Sequence, residues 1–131
     1  MSVAVSLDAL RDRVAEFGPV AYLVTVGGSG SPHIASVTVA WEDDRLVMGA
    51  GRTSTANVAA GGTVTLLWPP PVADGDYSLL ADGSAELIRP TDDAGDLLVA
   101  FRPTKAVLHR TARAAGSGPT CVPLGTEAGA R

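Results

Sequence analysis

A chain of 131 residues holds one domain and buries about two-thirds of its unfolded surface, so it needs neither disulfides nor a metal to fold. With 46% hydrophobic and 18% charged residues it is globular rather than disordered, and its net charge of −4 argues against non-specific nucleic-acid binding. No apolar run approaches the ~18 residues of a membrane span. The N-terminus reaches Asp8 without a basic lead, so no signal peptide is expected, and the single Cys121 permits no intrachain disulfide. Both fit a cytoplasmic protein.

In chain order, SLDALRDRVAEFGP reads as a helix. Ser6 caps it, Asp8 suits its first turn, Leu7, Leu10, Val14 and Phe17 share a face, and Gly18 and Pro19 stop it. VAYLVTV (20–26) is rich in β-branched and aromatic residues and runs into GGSGSP, a hairpin-length turn. HIASVTVAW (33–41) alternates strictly. His33, Ala35, Val37, Val39 and Trp41 fall on one face, Ile34, Ser36, Thr38 and Ala40 on the other. EDDR turns the chain, and LVMGAG returns as a third strand.

TSTANVAAGG predicts one or two helical turns, capped by Thr53 or Ser54 and ended by Gly61 and Gly62. TVTLLW (63–68) is a fourth strand stopped by Pro69, Pro70 and Pro71. YSLLADGSAELI (77–88) has strand character, with Gly83 marking a bulge or bend. DLLVAFRPTKAVLHRT (96–111) supplies one or two more strands interrupted at Pro103. Residues 1–111 thus form the domain. From Ala112 to Arg131 periodicity is lost, and this stretch reads as an irregular tail fixed in part by Val122, Pro123 and Leu124. Short strands, tight turns and two small helices make the chain mainly β, a small antiparallel barrel.

One stretch, VMGAGRTSTAN (47–57), carries candidate chemistry. Gly49 and Gly51 leave bare backbone that a flat molecule can approach closely. Arg52, the hydroxyls of Thr53, Ser54 and Thr55, and the free N–H groups of a helix start are what a phosphate requires. Ser36 and Thr38 on the neighbouring strand can hydrogen-bond the rim of a planar ligand, and Asn57 can add a donor. The plainer alternative is that the glycines relieve crowding at a barrel corner and the hydroxyls cap a helix.

Other chemistry has little support. His33 and His109 lie far apart and no H-x-x-x-H or C-x-x-C spacing occurs, so no metal site is expected. His33 reads as a rim residue and His109 as a structural or interface histidine, while Asp43 and Asp44 sit in a solvated turn. No G-x-S-x-G motif supports a hydrolase. Charge is uneven: residues 74–96 carry seven acids against Arg89, and residues 102–113 carry Arg102, Lys105, Arg110 and Arg113 without an acid. Such a stretch is a solvated strand face, or it faces an anionic ligand or a second subunit.

The order helix, strand, GSGSPHIASVTVAWEDDRLVMGAGRTSTANVAAGGTVTLLW resembles the split-barrel flavin-binding proteins related to pyridoxamine 5′-phosphate oxidase, over about residues 18–90. The resemblance implies a split β-barrel with short helices that forms a homodimer with two equivalent interface sites. Each site would hold FMN or a deazaflavin coenzyme and act as an oxidoreductase on a small planar substrate. It places the flavin ring edge at the backbone of Ser36, Val37 and Thr38, the phosphate at Arg52, Thr53 and Ser54 with Asn57 nearby, and Trp68 close to the subunit boundary. Flavin-binding members usually read Ser-Arg-Lys where this chain has Arg52-Thr53-Ser54. Losing one cation costs about 1.5–3 kcal/mol unless another replaces its ionic hydrogen bond. Arg102, Lys105 or Arg110 of the partner subunit could do so; the alternative reading is a non-catalytic split barrel that has lost the flavin and binds another ligand.

Overall fold

The computed structural model describes residues 2–72, 75–90 and 95–112, together with the backbone of 124–126 and 129–130. Its elements are β1 (Ser2–Val5), α1 (Leu7–Phe17), β2 (Val20–Val26), β3 (Pro32–Thr38), β4 (Ala40–Glu42), β5 (Arg45–Met48), α2 (Arg52–Ala60), β6 (Val64–Trp68), β7 (Tyr77–Ile88) and β8 (Leu98–Arg110). They form one antiparallel sheet in the order β3-β2-β6-β7-β8-β5-β4, with β1 paired to β8. The two ends of this sheet, β3 and β4, are consecutive in the chain and separated only by Val39. One bent segment therefore joins both edges, and the sheet curls into a split β-barrel.

That bend corrects the expectation of a single strand over 33–41. The Val39 N–H donates to the Pro19 carbonyl (2.8 Å). The chain leaves β2 there, and Ala40–Glu42 pair with β5 instead. The alternation survives the corner: Val37 and Val39 are buried, whereas Ile34, Ser36, Thr38 and Ala40 are exposed.

β8 is likewise one strand of 13 residues and is not interrupted at Pro103. Asp82 pairs with Lys105 and Gly83 with Pro103, so the register slips by one residue at that point. A bulge of this kind accommodates a residue without an N–H. At the same place β8 changes its other neighbour, from β5 beside Val99–Phe101 to β1 beside Ala106–His109. β1 had no sequence signal, because SVAV is short and only Val5 of it is buried.

Leu10 and Val14 of α1 join Leu23, Leu46, Leu66, Trp68, Leu79, Val99 and Phe101 in the core. The buried face of α1 is narrower than its sequence pattern, since Leu7 is 49% exposed. The Ser6 cap forms as expected, with the Ala9 N–H on its hydroxyl (3.3 Å). The third strand stops at Met48, so Gly49–Gly51 belong to the connection into α2 rather than to the sheet. In the tail, Leu124–Thr126 (β9) pairs with Gly129–Ala130 (β10). Cys121 and the expected anchor at Val122 and Pro123 lie outside the described residues. Among the described residues no helix is long and apolar enough to cross a membrane.

Candidate functional site

The start of α2 is the best-formed candidate. A Cβ added at Gly49 or Gly51 would meet no atom within 4 Å, so the space beside this backbone is open. Gly51, and not Thr53 or Ser54, is the N-cap, and no side chain caps the helix. The first backbone bond runs from the Thr55 N–H to the Gly51 carbonyl (3.0 Å). The N–H groups of Arg52, Thr53 and Ser54 precede it and are the donors every helix start leaves over. Beside them lies a cavity of ≈480 Å³ lined by Ala50, Gly51, Arg52, Thr55, Leu87, Asp96 and Leu97. Arg52 and Asp96 are unpaired among the described residues, so the cavity presents one charge of each sign.

The side chains predicted here divide into several groups. Arg52 and Thr53 are exposed, and Arg52 lines the cavity. Ser54 is wholly buried on the same stripe as Val58, and its hydroxyl has no partner among the described residues. Only its backbone N–H belongs to the helix-start donor set. Thr55 turns its hydroxyl back onto the Arg52 carbonyl (2.9 Å). The Asn57 amide donates one of its two N–H groups to the buried Thr25 hydroxyl (3.0 Å), which ties α2 to β2.

Trp68 is in the core at 0% exposure, and its indole N–H donates to the Gly18 carbonyl (3.0 Å). Its side chain is therefore turned inward and held within the chain. The Val37 side chain is also buried. Ser36 and Thr38 stand elsewhere, on the outward face of β3.

That outward face was not singled out in the sequence. Across it, Ser36 lies in register with Tyr22, Leu67, Leu80 and Val107, and Ile34 with Val24, Thr65, Asp82 and Lys105. Val20, Tyr22, Val26 and Ile34 are all exposed, Ile34 at 61%. The available signal was VAYLVTV itself, because a strand apolar on both faces covers a core with one and needs a cover for the other.

The basic stretch after residue 101 is partly neutralised within the chain. Arg102 pairs with Asp44 (2.7 Å), an exposed bridge of small energetic weight that also gives the expected solvated turn a partner. Across the ladder from Lys105, Asp82 accepts the Thr65 hydroxyl. Nearby, the side-chain hydrogen bond to Glu42 raises the Arg45 pKa above its already high ordinary value, so that guanidinium stays charged.

No family model matches the chain. Two uncharacterized proteins, one from Mycobacterium bovis and one from Mycobacterium tuberculosis, are 35% identical to it over 104 residues, which is 72% of this chain and 72% of each relative. Among solved structures, a general stress protein 26-related member of the pyridoxinephosphate oxidase family from Clostridium acetobutylicum superposes with a TM-score of 0.60. It is 13% identical, and the match covers 81% of this chain and 91% of that one. An FAD-binding protein from Mycobacterium smegmatis gives a TM-score of 0.61 at 15% identity, covering 84% and 100%. The heme storage protein HutZ of Vibrio cholerae gives 0.60 at 11% identity, covering 81% and 96%. At these identities the likeness is one of fold.

Proposed function

The chain belongs to one family with its mycobacterial relatives and has the split-barrel fold of the pyridoxamine 5′-phosphate oxidase-related proteins, and from this premise we propose that it binds a flavin-type cofactor. FMN is the first choice and a deazaflavin coenzyme the alternative. The observation that carries the reading is the uncapped start of α2, opening onto a cavity beside two glycines whose missing side chains leave free space. A phosphomonoester suits this donor set: the N–H groups of Arg52, Thr53 and Ser54, the Arg52 guanidinium and the Thr53 hydroxyl. Gly49 and Gly51 would allow close approach of the ligand to the backbone. The Ser36–Thr38 edge would border the ring.

When bound, such a cofactor supplies two-electron transfer, here to a small planar substrate. The chain's own contribution would be to orient the cofactor and keep water from it. A homodimer supports the same reading, because a second copy laid on the outward face of β2 and β3 would cover the exposed Val20, Tyr22 and Ile34 beside Ser36 and Thr38. The test is the absorption spectrum of the protein as purified, followed by titration with FMN and with the deazaflavin coenzyme. Micromolar uptake of one of them is expected, and Arg52→Ala should weaken it about tenfold, the loss of one charge-assisted hydrogen bond. Uptake of neither removes the oxidoreductase reading.

One observation favours a second reading, a non-catalytic barrel holding some other ligand. Asp96 lines the same cavity as Arg52, so the site is less cationic than a tight phosphate site. Under this reading Arg52→Ala leaves the binding of the other ligand little changed.

A further inference from the structure

Three parts of the chain wall the cavity at α2. The helix start contributes Gly51, Arg52 and Thr55, β7 contributes Leu87, and the segment leading into β8 contributes Asp96 and Leu97. Arg52 and Asp96 are the charged side chains of this lining, and neither is in an ion pair among the described residues. Neither His33 nor His109 lines it. The site thus holds one cation and one anion that share a cavity without spending their charges on each other.

Its hydrogen-bonding capacity is also two-sided. The helix-start N–H groups and the guanidinium donate, whereas the Asp96 carboxylate can only accept. A fully ionised phosphomonoester carries acceptors alone. It satisfies the donors but sets a second negative charge before a carboxylate. A phosphomonoester that keeps one proton matches both sides: its P–OH donates to the carboxylate, a bond of the strong charge-assisted kind, and its remaining oxygens accept from the helix start and Arg52.

Taking the start of α2 as the phosphate site of the bound flavin, the reading on which this step rests, we propose that Asp96 determines which form of phosphate the cavity accepts. That form is the singly charged, monoprotonated phosphomonoester, with its P–OH hydrogen-bonded to Asp96. Phosphomonoesters lose their second proton at about pH 6. Below that pH the ligand brings the proton that Asp96 needs. Above it the P–OH donor is gone and two like charges meet, so FMN affinity falls as pH rises. A phosphate site built from cations alone has no such loss, because its attraction grows with the charge of the ligand.

The test uses the whole protein and titration by flavin fluorescence at pH 5.5 and pH 7.5. Riboflavin, which has the ring without the phosphate, is the control for any change in the ring site or the protein. Asp96 is exposed, so Asp96→Asn should fold normally. The wild type should bind FMN at least about tenfold more tightly at pH 5.5 than at pH 7.5, and riboflavin equally at both. Asp96→Asn should gain about tenfold in FMN affinity at pH 7.5 and lose the pH dependence. The phosphorus resonance of bound FMN at pH 7 should lie at the monoanion position in the wild type and at the dianion position in the variant. Equal FMN affinity at both pH values, the same pH dependence for riboflavin, or no gain from Asp96→Asn at pH 7.5 would each overturn the role of Asp96 and leave flavin binding standing. Uptake of FMN at neither pH removes flavin binding and the role of Asp96 together.

Discussion

Two kinds of glycine in this chain answer to different demands. Gly83 faces Pro103 at the register slip between β7 and β8, and a Cβ there would be forced against the Arg102 carbonyl and the Pro103 Cα. Both obstacles are backbone and cannot rotate away. Gly83→Ala should therefore cost about 1–3 kcal/mol, read from the midpoint of urea unfolding. A loss below about 0.5 kcal/mol, the range of ordinary surface changes, would mean that the bulge adapts. Gly51 is the contrasting case, because a Cβ there enters open space at a φ of −76°. Gly51→Ala should leave stability within about 1 kcal/mol of the wild type, while FMN affinity falls because the methyl group occupies the approach to the helix-start donors. If affinity is unchanged, the ligand does not approach that backbone.

At the scale of elements, the two helices are fastened in different ways. α1 is capped locally by Ser6, and Ser6→Ala should lower stability by about 0.5–2 kcal/mol. α2 lacks a side-chain cap and is tied to β2 by the bond from Asn57 to Thr25, whose hydroxyl is 1% exposed. Asn57→Ala leaves that hydroxyl buried without its partner and should cost about 1–3 kcal/mol. Replacing both residues, with Thr25→Val as the second change, should cost less than the two single losses added, which a double-mutant cycle measures. Additive losses would show that the bond carries nothing.

The contrast between these fastenings also explains what was legible in the sequence. α1, β2, β6 and β7 follow from caps, stops and period-two runs, all of which act within a few residues. The corner at Val39, the continuity of β8 through Pro103 and the existence of β1 depend on partners far away in the chain: Pro19, Gly83 and residues 106–109. The site divides in the same way. A helix start beside glycines is local and could be read, whereas the side-chain cap expected from Thr53 or Ser54 does not form. That Ser54 turns into the core, Asn57 toward Thr25 and Trp68 toward Gly18 is decided by packing across the barrel.

For the molecule as a whole, the unresolved demand is the outward face of the sheet. Val20, Tyr22, Val26 and Ile34 form an exposed apolar area around Ser36 and Thr38, and areas of this kind mark surfaces that meet something else. Thr65 and Asp82 supply a hydrogen-bonded polar strip across it, in register with Ile34 and Val24, which can fix how a partner is seated. Ile34→Asp is the direct probe, because a side chain already 61% exposed contributes little to the fold of a single chain. Sedimentation velocity should show a dimer for the wild type and a monomer for Ile34→Asp, with unchanged far-ultraviolet circular dichroism. FMN titration of the two then separates the parts of the proposal. If the monomeric variant loses FMN, the site is built across the seam, and the helix start alone is too weak to hold the cofactor. If it binds FMN as tightly as the wild type, the donors of α2 suffice within one chain and the outward face serves assembly alone. A wild type that sediments as a monomer would remove the dimer from the proposal and leave the anion site at α2 to stand on its own geometry.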